Sequence, residues 1–214
     1  MKKIIITFLM VASIVNGFAQ SDKYLGAMQK NLSAIEPAFA NPPDMLALSN
    51  SFERIAVAEK SQWIPFYYAA LLQVNYAFMQ KDPSGNDVLA ARATMLLNKA
   101  DSLQPNNSEI STLRSMIATV QMLVNPMQRY MEYSATIESN LQKAMVQDAT
   151  NPRPLYVKAE NIKNTPANFG GGCSVALPLL KQALEKYNSF KSENALAPTW
   201  GQPRVEQLIK DCEK

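Results

Sequence analysis

The stretch Ala93-Thr94-Met95-Leu96-Leu97-Asn98-Lys99-Ala100-Asp101-Ser102-Leu103-Gln104-Pro105 decides the fold. Ala93, Leu97 and Ala100 recur at four- and three-residue steps, the spacing of one helix face, and Gln104-Pro105-Asn106-Asn107 then stops the helix. The pattern returns. Arg54-Ile55-Ala56, Gln142-Lys143-Ala144 and Lys181-Gln182-Ala183 align with Asn98-Lys99-Ala100, so the alanines stand 44, 44 and 39 residues apart. Seven residues before each stands Ser49, Ala93, Ile137 or Ala176, small in three of the four. Small residues at two-turn spacing let one helix backbone approach its neighbour closely. A long recurring period means stacked supersecondary units, none of which buries its apolar face alone.

Working outward, helical periodicity dominates and strand alternation is scarce. Helices are expected over Asp22 to Glu36, Pro43 to Lys60, Pro65 to Gln80, Asp87 to Leu103 and Ser108 to Val124. Four more are expected over Met127 to Gln147, Pro154 to Lys163, Ser174 to Phe190 and Pro203 to Cys212. The breaks carry turn chemistry: Asp82-Pro83-Ser84-Gly85-Asn86 with Asp87 as a candidate cap, Ser108 as another, and Asn125-Pro126 as a short joint between antiparallel helices. The fold expected is all-α: a short right-handed α-solenoid of about four antiparallel helix pairs plus a C-terminal helix.

Ala93, Leu97, Ala100 and Pro105 resemble the second helix and closing proline of tetratricopeptide repeats, and Lys143-Ala144 to Pro152 is similar but carries Ala149 where the proline belongs. Trp63, Tyr67 and Ala70 resemble a first helix of that family. The resemblance covers about 43–190, although the family period of 34 is shorter than the spacing here. Phe169-Gly170-Gly171-Gly172 and Pro198-Thr199-Trp200-Gly201 resemble segments of exported repeat proteins of Bacteroidetes-type bacteria. The resemblance implies a concave binding surface built from the first helix of each pair, and a non-catalytic scaffold for a protein or peptide partner.

Residues 1–19 read as a secretory signal: Lys2 and Lys3, an apolar run from Ile4 to Val15, then Gly17 and Ala19 as small residues before cleavage at Gln20. Twelve apolar residues span about 18 Å as a helix, short of the roughly 30 Å of a bilayer core. Residues 20–214 are then a single helical-repeat domain, periplasmic or secreted, with no transmembrane segment after cleavage. Loss of the two lysines takes the formal charge from +3 to +1, too small and too dispersed for nucleic acid. The chain contains no histidine, which removes the commonest general base and zinc ligand, and two cysteines assemble no metal cluster. No cofactor, metal or enzymatic activity is expected.

Two cysteines in an exported chain point to a disulfide, Cys173 to Cys212, with free buried thiols as the alternative. Asn168-Phe169-Gly170-Gly171-Gly172 precedes a helix but lacks a phosphate-loop ending and reads as a linker. Trp63, Phe66, Tyr67, Tyr68, Tyr76 and Phe78 form the densest aromatic cluster. Met116, Met122, Met127 and Met131, with Tyr130 and Tyr133, form a softer one that can line an adaptable groove or fill gaps between helices. Most of both clusters is expected in the core. Tyr68, Tyr76, Arg114 and Tyr156 are the candidate partner-binding residues, and the rival function is a small-ligand or glycan-binding accessory module.

Overall fold

The structure is a computed structural model that describes residues 22–192 and 194–214. The expected signal, 1–19, lies outside the described residues. All regular structure among the described residues is helical: α1 (Asp22–Ser33), α2 (Ile35–Ala38), α3 (Pro42–Glu59), α4 (Trp63–Phe78), α5 (Asn86–Leu103), α6 (Ser108–Leu123), α7 (Pro126–Gln147), α8 (Arg153–Asn164), α9 (Cys173–Ser189) and α10 (Gln202–Cys212), with single 3-10 turns at Pro83–Gly85 and Ala167–Phe169. The helix expected over Asp22 to Glu36 is broken at Ala34. Pro37 has no amide to offer the carbonyl of Ser33, so the ladder restarts one turn before it.

Consecutive helices pack as antiparallel neighbours, and α4, α6 and α8 also touch one another in sequence. These three form an inner layer, over which α3, α5, α7 and α9 lie as an outer one, a solenoid-like stack. The recurring small residues make that stacking possible. Ala56, Ala100, Ala144 and Ala183 are all 0% exposed, and Ser49, Ala93, Ile137 and Ala176 are buried two turns earlier. Ser49 is polar but satisfied: its Oγ donates to the carbonyl of Ala69 on α4 and accepts from Gln73 Nε2. Flanked on several sides, α4 and α6 bury residues around most of their circumference, so their apolar residues do not confine themselves to one stripe.

Two expected caps are displaced. Asn107 rather than Ser108 caps α6, its Oδ1 accepting from the amides of Glu109 and Ile110; Ser108 Oγ instead donates to the carbonyl of Ala144. Asp87 sits inside α5 and is spent on Arg129 of α7 through paired bonds of 2.7 and 2.8 Å. That guanidinium holds the Asp87 carboxyl below the usual carboxylate range, and it also donates to the carbonyl of Gln121, pinning the first turn of α7.

The C-terminal segment closes over the N-terminal ends of α4 and α8. After α9 the chain doubles back so that Trp200 Nε1 donates to Tyr67 Oη at 2.9 Å and Pro198 presents its carbonyl to Arg153. Gly201 is required where this strap turns. Its φ is +114°, and a Cβ there would collide with the Tyr187 hydroxyl. α10 then packs on α9, and the Cys173–Cys212 disulfide joins the two, with Cα atoms 5.1 Å apart.

Burial raises the phenols of Tyr24, to about 12, and of Tyr67, Tyr68, Tyr156 and Tyr187. Each folded value lies above the free value of about 10, so the associated stability is whole below that pH and is lost as pH rises through the raised values. In an alkaline titration followed by ultraviolet absorption, these five of the eight tyrosines are expected to ionise late, together with the loss of helicity. A single smooth transition near pH 10, with helicity intact, would mean that the rings are open to solvent.

Candidate ligand groove

The inner helices are capped by the strap at their N-terminal ends but left open toward their C-terminal ends. There a groove of about 510 Å³ lies between α6, α7 and α8, bounded by the end of α4 and the start of α10. Its volume falls in the range of small-molecule sites. The floor is apolar: Met122 from α6, Ile137 and Leu141 from α7, Ile162 from α8.

Around the mouth stands an unusual set of exposed apolar side chains. Phe78, Leu123 and Tyr130 line the groove, and Met127 and Met131, 95% and 84% exposed, flank Tyr130 on the same face of α7. The Asn125–Pro126 start and the Arg129–Asp87 pair fix that face outward. The gap-filling role expected for Met127 and Met131 is therefore overturned: both side chains stand exposed among the described residues. Exposed clusters of this kind on a folded chain mark ligand or partner contacts.

The rim is charged but compensated. Lys158 pairs with Glu138, and Arg204 of α10 donates to Glu160 Oε1 at 2.9 Å. The second oxygen of Glu160 accepts the Tyr156 hydroxyl at 2.8 Å. Burial, then Glu160, push the Tyr156 phenol up, so that hydroxyl remains a donor. Asn161 Nδ2 is buried in the wall without an acceptor. The groove therefore offers an apolar slot, an aromatic edge, two cations able to change partner, and unspent amide hydrogens.

The sequence-derived candidates lie elsewhere. Tyr68 is buried and stacked on Phe52 with ring centroids 5.3 Å apart. Tyr156 is buried, touching the site only through Glu160. Tyr76 is half-buried against the core. Arg114 ties α6 to α5 through Asp101 and Asn98. None of the four lines the groove, and burial leaves Tyr68 and Tyr156 no face for a partner to grip. Of the lining residues, Phe78, Met122 and Tyr130 belong to the two clusters expected mostly in the core, with a groove as the alternative for the methionine stretch; Leu123, Ile137, Leu141 and Ile162 carry no signal beyond core spacing.

No family model and no curated protein matches the chain. Among solved structures, the HusA haemophore from Porphyromonas gingivalis superposes with a TM-score of 0.80 and 35% sequence identity, over 91% of this chain and 94% of that one.

Proposed function

The chain belongs to the family of the HusA haemophore, and we propose that it is likewise a non-catalytic, exported carrier of a haem-class ligand, a flat apolar ring bearing carboxylates, held in the α6–α7–α8 groove. The small-ligand reading is preferred to the protein scaffold because of one observation: Phe78, Leu123 and Tyr130 line a single slot and remain exposed, with the exposed Met127 and Met131 beside Tyr130 on α7. A ring entering between the α6 floor and Tyr130 removes that apolar surface from water. Lys158 and Arg204 supply cations for the carboxylates, each releasing a glutamate on binding. Export through the leader read in 1–19 belongs to the same proposal, and the disulfide fits an oxidising compartment.

Without histidine, the groove's residues that would reach iron are Tyr130 and Met122, and we propose that face contact and carboxylate pairing carry most of the affinity. Titrating the mature protein with haem and with metal-free protoporphyrin, followed by tyrosine and tryptophan quenching, is expected to give affinities within about tenfold of each other. Tyr130→Ala should weaken both about tenfold, the order of one aromatic contact. Leu123→Asp, which puts a charge into the slot, should abolish both while leaving thermal stability nearly unchanged. Absence of saturable quenching by either ligand would reject the reading and return the scaffold function to first place.

A further inference from the structure

A second groove, between two outer helices, has a different chemistry. It runs between α3 and α5, which lie parallel because each packs antiparallel to α4, and has a volume of about 730 Å³. Ala56 and Leu96 are buried in its base, with Phe66 of α4 half-buried beneath. Val57 and Met95 stand exposed along its two walls.

The charges are arranged end to end. Arg92 and Glu53 form an ion pair across the groove and close one end. Lys60 and Lys99 each stand seven residues further along, two helical turns or about 10 Å, so the ion pair sets them opposite one another at the far end. Neither has an ion-pair partner among the described residues. Three cations therefore face one carboxylate, and the uncompensated two share one end of an apolar trough.

We infer that the α3–α5 groove is a second ligand site, for a long-chain carboxylate, its head group held between Lys60 and Lys99 and its tail lying along Val57, Met95 and Phe66 toward the Arg92–Glu53 pair. The occupant follows from charge complementarity. The uncompensated charge sits at one end, with apolar side chains between it and the Arg92–Glu53 pair, which suits a monoanion with an apolar tail, whereas the α6–α7–α8 groove pairs its cations internally. This inference does not rest on the haem-class reading.

The test is calorimetric titration of the mature, disulfide-bonded protein with laurate below its micelle concentration, with acetate and a neutral dodecyl glucoside as comparators. Laurate is expected to bind saturably, acetate not at all, and the neutral amphiphile about tenfold or more weaker than laurate. Lys60→Gln with Lys99→Gln should weaken laurate about tenfold, and because both lysines are exposed the fold should stay intact, as helicity would report. Leu123→Asp should leave laurate binding unchanged. Absence of saturable laurate binding, acetate binding as tightly as laurate, full affinity in the double lysine variant, or loss of laurate in Leu123→Asp would each overturn the assignment; the last would place the acyl chain in the other groove.

Discussion

Replacing Arg153 by alanine is expected to destabilise the protein by about 3–5 kcal/mol, the cost of breaking a buried ion pair from one side. Arg153 is 0% exposed at the start of α8. Its guanidinium donates to Glu109 Oε1 at 2.8 Å, to Asn151 Oδ1 at 3.2 Å and to the Pro198 carbonyl, and lies over the rings of Phe190 and Trp200 at 4.9 and 5.6 Å. Glu109 also accepts from Asn151 at 2.7 Å and Tyr67 at 3.2 Å. One cation thus joins α6, α8, the strap and, through Tyr67, α4. The alanine variant leaves a buried carboxylate with two neutral donors and frees the strap's carbonyl.

The same pair carries a pH signature. Burial raises the Glu109 carboxyl even though Arg153 opposes it. A raised native value means a contribution fully present below the free value of about 4.3 and lost as pH rises through the native one. Without Arg153 the rise is larger, so the stability deficit of Arg153→Ala should shrink on acidification toward pH 4. Urea unfolding at pH 7 and near pH 4.5 measures this; equal deficits at both would show that Glu109 is not the group left behind. Arg153→Met combined with Glu109→Leu should recover most of the loss, since a well-packed apolar pair is often no worse than a buried ionic one.

How much of this was legible in the sequence follows from what each signal depends on. The stack was readable because Ala56, Ala100, Ala144 and Ala183 occupy the same place in successive units, and close approach of outer to inner helices selects small residues there whatever else varies. Asn107 and Ser108 show the limit of local reading: both can cap, and the choice was made by a carbonyl 36 residues away, at Ala144, that claims Ser108. The groove was illegible for a related reason. Phe78, Leu123, Tyr130 and Ile162 come from four helices and are spaced like core residues, and Arg204 joins them from a fifth. What separates a floor from a core is whether another element arrives to cover it. The strap covers the N-terminal ends of α4, α6 and α8, leaving the other ends open, and that strap has no periodicity to read.

Removing the disulfide, by Cys173→Ser with Cys212→Ser, is expected to cost about 4 kcal/mol in the chain-entropy model, since the bond closes a loop of 39 residues. The loss should be local before it is global. α10 is eleven residues long, below the length at which an isolated helix is stable, and it is held on α9 by Val205, Leu208 and Ile209. Hydrogen exchange should therefore show α10 and the strap losing protection first, with α4 and α6 retaining theirs. The groove should feel this, because Arg204 reaches Glu160 only while α10 is docked. Porphyrin affinity is expected to fall about tenfold, the order of one charge-assisted contact, while the apolar slot built from α6, α7 and α8 continues to bind. Uniform loss of protection across all helices would instead mean that the bond supports the whole stack. In that case the strap's grip on Arg153 and Tyr67, rather than the packing of α10, is what transmits the loss, and Arg153→Ala in the bonded protein should reproduce it.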